Sequence, residues 1–266
     1  MLLGDPVAHS VSPIFQNAAI RDRNIDAVYT ALPCDRQAVG PLIRALCRAG
    51  GGGNVTVPHK AAAAECIDRP TAAVTRTGAC NTFWGVDGTV HGDNTDVAGF
   101  RHAALLLLPD LTGISALIIG AGGAAAAAAC ALLDAGASAV SIFNRSPDRA
   151  SVLAARLDRG GGVIRVITSV NDIAGADIDL IVNASSVGLS DHDPLPLDLS
   201  RLGTTRAVLD IVYRHDRATP FVSHARKLAI PAADGTEMLV AQGAAAFGLW
   251  FNVEPPIDLM REALRT

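Results

Sequence analysis

A lysine and an aspartate stand in sequence surroundings that favour acid–base chemistry. Only two of the 22 basic residues are lysines, Lys60 and Lys227, and the others are arginines. A lysine can release and regain a proton, whereas an arginine stays charged. Lys227 is predicted to lie on a polar helix, where a surface role explains it. Lys60 follows residues 54–59 (NVTVPH), and Pro58 at the first helical position would place Lys60 in the first turn of a helix.

The positive end of a helix dipole opposes a cation in that turn, which is unfavourable for a lysine that only supports the fold. The position suits a lysine that moves a proton to and from a hydroxyl. The alternative is a lysine whose aliphatic stem packs at the helix start while its amine stays in water. Asp96 ends the polar segment 92–96 (GDNTD) before an apolar helix. Alone, Asp96 is interpreted as a helix cap, but with Lys60 it makes an acid–base couple.

Two serines, Ser10 and Ser12, precede Pro13 and could hold a carboxylate between their hydroxyl groups. Ser12 could instead cap a helix that begins at Pro13 and continues to about residue 23. Neither serine has the glycine neighbours of a hydrolase nucleophile, so nucleophilic catalysis is not indicated. His9 and His59 are isolated, and no pair of residues has metal-ligand spacing, so we expect no metal.

A glycine-rich turn lies between a predicted strand at 116–119 and a predicted helix at 124–134. Glycines allow the backbone to turn tightly and to approach a pyrophosphate, whose charge the helix N-terminus then stabilises. Alone, such a pattern is typical of any tight turn between strand and helix. The strand before it and the helix after it favour a dinucleotide site. The turn consists of Gly120, Ala121, Gly122, Gly123 and Ala124.

The residues after the next predicted strand indicate which dinucleotide binds. NAD sites place an acid there for the ribose 2′-hydroxyl, but this chain has Arg145 at that point and Arg149 shortly after it. The two arginines could clamp a 2′-phosphate, which favours NADP. The alternative is that both are solvated surface residues. Asp148 lies in the same segment and could still accommodate NAD.

Predicted strands and helices alternate along the chain, which is typical of an α/β fold. In the first part, after a short first strand, strands are expected at 27–32, 54–57 and 81–84, and helices at 12–23, 39–49 and 58–66. That alternation favours parallel pairing. In the second part, strands are expected at 116–119, 139–143, 163–167, 180–182 and 207–210, and helices at 124–134 and 149–156. A further helix is expected at 237–249, and another closes the chain.

These patterns predict two α/β domains, the second with a doubly wound, Rossmann-like sheet. The first domain is expected to comprise residues 1–97 and 236–266, and the second residues 98–235. The length of 266 residues and the apolar fraction of 50% exclude a disordered chain. A net charge of −4 with no basic block gives no indication of nucleic-acid binding.

The cysteine usage and the apolar segments predict a cytoplasmic protein. Five scattered cysteines fit neither a zinc site nor a disulfide framework, which favours a reducing compartment. No signal peptide is indicated at the N-terminus. The uncharged stretch 111–133 is long enough to span a membrane, but glycines interrupt it, so we expect two short elements and no membrane association.

Taken in order, the motifs resemble the shikimate dehydrogenase family from Gly4 to about Trp250. Each motif is modest alone, whereas the ordered series is specific. The segments that carry the resemblance are 4–6 (GDP), 9–13 (HSVSP), 54–60 (NVTVPHK), 78–82 (GACNT), 94–96 (NTD), 120–124 (GAGGA), 144–146 (NRS), 183–186 (NASS), 210–213 (DIVY) and 234–242 (DGTEMLVAQ).

The resemblance implies NADP-dependent reduction of 3-dehydroshikimate to shikimate, in aromatic amino-acid biosynthesis, in a cleft between the two domains. Ser10 and Ser12 would hold the substrate carboxylate, with Tyr213 nearby. Lys60 would be the proton donor and acceptor, oriented by Asp96. The residues implied to bind the ring hydroxyls are Thr56, Lys60, Asn81, Asp96 and Gln242. Those implied to bind the cofactor are Gly120, Ala121, Gly122, Gly123, Ala124, Asn144, Arg145, Ser146, Arg149, Ile211 and Gly235.

The chain departs from the family pattern at a few positions. Gln16 replaces the usual histidine, Cys80 a valine and Ser185 a threonine, and residues 214–216 (RHD) lack the usual proline. Relatives act on quinate or amino-substituted analogues, so an NAD(P)-linked quinate/shikimate enzyme stays open. So does a metabolite-binding relative without activity. The expected partner is the small-molecule substrate, with a homodimer as one option and neither nucleic acid nor membrane.

Overall fold

The chain forms two α/β units in a computed structural model that describes residues 1–158, 160–190, 192–214 and 217–265. The first unit comprises Met1–Gly99 and Leu239–Thr266, and the second Phe100–Met238. The strands within the described residues are β1 (Leu2–Gly4), β2 (Ala31–Pro33), β3 (Gly52–Val55), β4 (Arg69–Pro70), β5 (Thr82–Val86), β6 (Thr89–Asp93), β7 (Ser115–Ile119), β8 (Ala139–Phe143), β9 (Ile164–Ile167), β10 (Ile178–Asn183), β11 (Thr205–Asp210) and β12 (Ala232–Ala233). The α-helices are α1 (Ser12–Asp22), α2 (Arg36–Arg48), α3 (Lys60–Ala64), α4 (Ala72–Thr77), α5 (Asp96–Leu107), α6 (Gly123–Asp134), α7 (Pro147–Leu157), α8 (Pro220–Lys227), α9 (Thr236–Phe251) and α10 (Ile257–Glu262).

The sheet of the first unit is mixed, in the order β2-β1-β3-β5-β6-β4. Strand β1 is parallel to β2 and β3, whereas β5 is antiparallel to both β3 and β6. The parallel pairing expected for this part is therefore wrong for β5. For the β5–β6 pair the physical reason is the two-residue turn Asp87-Gly88, whose φ angles of 47° and 75° fit the tight turn of a hairpin.

Helices cover both faces of that sheet, as the first strand shows. Leu2 packs in an apolar cluster with Phe15 of α1 and Phe247 of α9. Leu3 belongs to a separate cluster with Ile43 of α2, because successive side chains of a strand lie on opposite faces. Both clusters are buried, so apolar packing on both faces fixes the position of β1 within the sheet.

The sheet of the second unit is parallel throughout, in the order β12-β11-β10-β7-β8-β9. Strand order reverses between β7 and β10, which is where doubly wound sheets bind ligands at their carboxyl edge. Helix α6 packs on β7 and β8 and buries a run of small alanine side chains. The predicted α/β class and the doubly wound second sheet are confirmed.

The structure also bears on two local features of the sequence, the uncharged stretch 111–133 and the departure from the family pattern at residues 214–216. The uncharged stretch 111–133 divides between β7 and α6, and no helix among the described residues is long and apolar enough to cross a membrane. The departure at residues 214–216 falls mostly outside the described part, since His215 and Asp216 are not in it. The domain bounds inferred from the sequence stay a prediction.

Candidate active site

Lys60 and Asp96 form an ion pair in the first unit. Lys60 is the first residue of α3 and Asp96 the first residue of α5, and the Lys60 Nζ–Asp96 Oδ2 distance is 2.5 Å. The side chains are 17% and 6% exposed, so little water competes for the contact. An ammonium group has three N–H donors, and this pair uses one of them. The others stay available for an oxygen atom of a ligand.

The structure places Lys60 differently from the sequence argument in one respect. Helix α3 has only five residues, with His59 at its N-cap, so the expected role of Pro58 as the first helical residue is wrong. So short a helix has a weak dipole. Lys60 does lie in the first turn, but its setting is defined by the carboxylate of Asp96. His59 has a structural contact, because its Nε2 lies 2.7 Å from the carbonyl oxygen of Cys34.

Asn81 connects this ion pair to α9. Its Nδ2 donates to Asp96 Oδ1 at 2.8 Å and to Gln242 Oε1 at 3.2 Å. The two oxygens of Asp96 are thus divided between Lys60 and Asn81. Gln242 is fixed in turn, because its Nε2 donates to the carbonyl oxygen of Leu239 at 2.9 Å. The cluster of Lys60, Asn81, Asp96 and Gln242, which we call the Lys60 cluster, brings together four of the predicted site residues.

A second layer of buried polar groups supports Asn81, and sequence reasoning missed most of it. Asn81 Oδ1 accepts hydrogen bonds from the backbone N–H of Thr95 at 2.8 Å and from Thr82 Oγ1 at 3.0 Å. Thr82 Oγ1 accepts from Asn54 Nδ2 at 2.9 Å. Tyr29 Oη donates to Asn54 Oδ1 at 2.7 Å, and burial raises the pKa of Tyr29. Polar residues inside otherwise apolar strands were the available signal.

Helix α9 reaches the cluster by a close crossing with α1. A Cβ atom added to Gly243 would lie 2.4 Å from Cε2 of Phe15, so only glycine fits there. Gln16 Nε2 donates to the carbonyl oxygen of Gly243 at 2.9 Å. Gln16, one of the departures from the family pattern, therefore ties α1 to the residue next to Gln242.

Ser10 and Ser12 lie together at the start of α1. The backbone N–H of Ser12 donates to Ser10 Oγ at 3.3 Å. The N-cap residue is Val11 and makes no side-chain cap, so Ser12 as a cap is wrong. Thr56 follows β3, and its backbone N–H donates to Leu3 at 2.8 Å. Among the described residues no hydrogen bond joins these three side chains to the Lys60 cluster.

The glycine turn of the second unit leaves the N-terminus of α6 without a capping side chain. Gly120 has φ of 121°, and an added Cβ would lie 2.7 Å from the carbonyl oxygen of Ala184. Gly122 is the N-cap of α6, with no side-chain cap and with open space around its missing Cβ. The N–H groups of Gly123 and Ala124 therefore start α6 without a capping side chain. This open helix N-terminus fits a pyrophosphate.

The turn between β8 and α7 carries the predicted phosphate clamp. Asn144 Nδ2 donates to the carbonyl oxygen of Ser146 at 2.9 Å, which closes the turn. Ser146 is the N-cap of α7 and makes no side-chain cap. Arg145 and Arg149 are exposed, and neither side chain makes a hydrogen bond or ion pair to the described residues. Their guanidinium groups are available to an anion.

The remaining predicted residues lie after β11 and β12. An added Cβ at Gly235 would lie 2.0 Å from the carbonyl oxygen of Ile211, and the Gly235 N–H donates to Val212 at 3.2 Å. Ile211 and Gly235 are thus brought together. Tyr213 is half-buried, and burial raises its pKa. Its expected place near the substrate carboxylate stays a prediction.

No group of three or more histidine, cysteine, aspartate or glutamate side chains that could hold a metal occurs among the described residues.

The chain matches three family models. The substrate-binding domain of shikimate dehydrogenase matches residues 2–83, shikimate/quinate 5-dehydrogenase matches residues 102–189, and the C-terminal domain of shikimate 5′-dehydrogenase matches residues 235–265.

Known proteins resemble the chain over almost its whole length. The shikimate dehydrogenase (NADP(+)) of Acidiphilium cryptum is 39% identical over 258 residues, which cover 97% of this chain and 91% of that protein. The structure of shikimate 5-dehydrogenase from Thermus thermophilus in complex with NADP(H) and shikimate is 36% identical, with a TM-score of 0.88 and coverage of 99% and 97%. Quinate dehydrogenase from Corynebacterium glutamicum in complex with NAD is 29% identical, with a TM-score of 0.89 and coverage of 98% and 96%.

Proposed function

The chain belongs to the shikimate dehydrogenase family and is an oxidoreductase, and we propose that it catalyses the reversible NADPH-dependent reduction of 3-dehydroshikimate to shikimate. The product would serve aromatic amino-acid biosynthesis. The observation that carries this proposal is the Lys60–Asp96 ion pair, held by Asn81 and Gln242 in one hydrogen-bonded cluster.

Lys60 supplies the proton in this proposal. Bound NADPH supplies the hydride for the carbonyl carbon. The Nζ of Lys60 donates a proton to the carbonyl oxygen in reduction, and it accepts the hydroxyl proton in oxidation. Asp96 orients Nζ, and Asn81 keeps the Asp96 carboxylate from rotating. Positioning of this kind lowers the barrier because the reacting groups need no further ordering.

The other groups of the first unit would bind the substrate. Asn81, Gln242 and Thr56 offer amide and hydroxyl groups to the ring hydroxyls. Ser10 and Ser12 offer hydroxyl groups to the carboxylate, and Tyr213 of the second unit stays a predicted contact of it. We infer that residues 1–97 and 236–266 form the substrate domain.

The second unit would bind the cofactor. The turn of Gly120, Ala121, Gly122, Gly123 and Ala124 presents the open N-terminus of α6 to the pyrophosphate. The exposed Arg145 and Arg149 would bind the 2′-phosphate, with Asn144 and Ser146 shaping their turn. Ile211 and Gly235 would line the remainder of the site. The relatives from Acidiphilium cryptum and Thermus thermophilus support NADP, since NADP appears with both.

A second candidate function is NAD-linked oxidation of quinate, because the related quinate dehydrogenase binds NAD. Asp148, in the first turn of α7, is the residue that could receive a ribose hydroxyl. A relative that binds the metabolite without turnover is a third candidate. The intact Lys60–Asp96 pair argues against it.

One steady-state experiment separates the three candidates. Purified protein is mixed with shikimate or quinate and with NADP⁺ or NAD⁺, and the absorbance of the reduced nicotinamide is followed. We expect fast reduction of NADP⁺ with shikimate alone. Preference for quinate with NAD⁺ would assign the second candidate. Tight binding of shikimate with no turnover in any combination would assign the third.

We also propose a cytoplasmic enzyme that acts on a small molecule, needs neither nucleic acid nor membrane, and is compatible with a homodimer. The five cysteines support the compartment, since all of them are free thiols. Size-exclusion chromatography with light scattering measures the assembly state directly.

A further inference from the structure

A buried carboxylate at the carboxyl edge of the second sheet has no part in the reaction described above. Asp210 is the last residue of β11 and Asn183 the last residue of β10, and the two are paired in register. Both are 0% exposed. Asn183 Nδ2 donates to Asp210 Oδ1 at 2.8 Å. Thr219 Oγ1 donates to Asp210 Oδ2 at 2.6 Å.

The pair also holds the two backbone segments that leave these strands. After β10, the N–H and Oγ of Ser185 both donate to Asn183 Oδ1, and Asn183 Nδ2 donates to the carbonyl oxygen of Val187 at 2.9 Å. After β11, the N–H of Val212 donates to Asp210 Oδ1 at 3.1 Å. One carboxylate therefore connects both segments.

These segments touch the residues expected to bind the cofactor. The carbonyl oxygen of Ala184 lies against Gly120 of the glycine turn. Ile211 lies against Gly235, whose N–H donates to Val212. In a doubly wound sheet the ends of β7 and β8 would take the pyrophosphate and the adenosine ribose. The ends of β10 and β11, on the other side of the strand-order reversal, are left for the nicotinamide half.

We propose that Asp210 is a positioning residue for the nicotinamide half of the dinucleotide, because it sets the two segments that leave β10 and β11. The inference depends on the proposed function, since it assumes that the glycine turn binds NADP.

The location of Asp210 and the unfavourable free energy of burying its ionised carboxylate support a role beyond fold stability. The donors that the structure describes around it are all uncharged groups. Burial, with a smaller contribution from the nearby Asp234, raises the pKa of Asp210 to about 6, although its three hydrogen bonds act in the opposite direction. An ionised group in such a site is unfavourable for folding, and perturbed groups of this kind concentrate at functional sites.

Asp179 provides a matched control at the opposite edge of the same sheet. It lies near the start of β10 and accepts hydrogen bonds from the N–H and Oγ of Ser115 and from Arg206. An Asp179→Ala change thus removes a similar number of hydrogen bonds at the amino ends of the strands. It leaves the carboxyl edge intact.

Calorimetric titration with two ligands tests the inference. The ligands are NADP⁺ and adenosine 2′,5′-bisphosphate, which lacks the nicotinamide half. For Asp210→Ala we expect the Kd of NADP⁺ to rise about tenfold, as for a lost charge-assisted hydrogen bond. The Kd of adenosine 2′,5′-bisphosphate should stay within about twofold, which is below the effect of one hydrogen bond. Asp179→Ala should leave both constants unchanged.

Conservative variants keep the test decisive if Asp210→Ala does not fold. Asp210→Asn retains an oxygen that can accept from Asn183 and Val212, so it should raise the Kd of NADP⁺ less than Asp210→Ala does. Thr219→Val removes one donor to Asp210 and should raise the Kd of NADP⁺ but not that of adenosine 2′,5′-bisphosphate. Thr219→Ser keeps a hydroxyl donor and should restore the native Kd of NADP⁺.

Three results would overturn the inference. They are an equal rise in the Kd of both ligands, an unchanged Kd of NADP⁺ in the folded variants, or an equal rise in the Kd of NADP⁺ in Asp179→Ala. Native protein that binds no NADP⁺ would overturn the proposed function together with the inference. Native protein that binds NADP⁺ without oxidising shikimate would overturn the proposed reaction alone.

Discussion

At the scale of single residues, the chemistry of the first unit depends on how one carboxylate is shared. Asp96 gives one oxygen to Lys60 and the other to Asn81. Asn81 is itself fixed by Thr95 and Thr82. The lysine ammonium is therefore held by a carboxylate that cannot rotate freely. Such an arrangement positions a proton for transfer, whereas a surface salt bridge would be mobile.

Replacement of Lys60 by methionine tests this assignment. The variant keeps the length of the side chain but has no proton to donate, so kcat for shikimate oxidation should fall by about 10²–10⁴-fold. Shikimate binding, measured by calorimetry, should change much less because Asn81 and Gln242 remain. Lys227→Met is the control, since Lys227 is exposed at the end of α8. Undiminished turnover in Lys60→Met would remove Lys60 from the mechanism.

Asp210 makes a separate prediction about stability. Because burial raises its pKa from 3.8 to about 6, the native state binds a proton more tightly than the unfolded state. Its contribution to the free energy of unfolding therefore falls as pH rises between these two values. The free energy of unfolding of Asp210→Asn, relative to that of the native protein, should therefore increase by about 2 kcal/mol between pH 4 and pH 7. Urea denaturation at both pH values measures the free energy of unfolding of each protein. The same change with pH in both proteins would contradict the prediction.

At the scale of elements, the sequence predicted the second unit better than the first. Strand β8 occupies the expected residues, because an apolar run between glycine and polar punctuation defines a buried strand. The alternation of strands and helices in the first part favours parallel pairing and does not predict the hairpin of β5 and β6. Polar residues inside apolar segments mark Asn54 and Thr82 as candidates, but they do not indicate that these side chains and Tyr29 meet across the sheet.

The crossing of α1 and α9 makes an element-scale prediction. Gly243→Ala would place a methyl group against the buried ring of Phe15 and near Gln16 Nε2, so α9 must move away from α1. Overpacking of this kind should lower the free energy of unfolding by about 1–3 kcal/mol. The KM for shikimate should rise as well, because Gln242 moves with the helix.

A glycine later in the same helix provides the control. The nearest atom to an added Cβ at Gly248 is 3.9 Å away, which is ordinary contact. Gly248→Ala should therefore keep the native KM and be neutral or stabilising by up to about 1 kcal/mol. Equal effects of the two alanines on KM would show that the crossing does not position Gln242.

At the scale of the whole molecule, binding of the proposed ligands must be local. The chain carries a net charge of −4, while shikimate and NADP are both anions. Long-range attraction therefore does not assist them. In the proposed function, the exposed Arg145 and Arg149 and the open N-terminus of α6 would supply positive potential to the cofactor. Cofactor selectivity should then depend on very few residues.

The double variant Arg145→Ala/Arg149→Ala tests that selectivity. Loss of one charge-assisted hydrogen bond from each arginine to a 2′-phosphate should lower kcat/KM for NADP⁺ by about 10²–10⁴-fold, because each such bond contributes about 1.5–3 kcal/mol and every 1.4 kcal/mol is about tenfold. The value for NAD⁺, which has no 2′-phosphate, should stay within about twofold, less than one lost hydrogen bond would cause. Arg165→Ala on β9 is the control, since Arg165 is also exposed in the second unit. An equal loss with both cofactors would mean that the arginines act on the pyrophosphate, and the argument for NADP selectivity from this turn would fail.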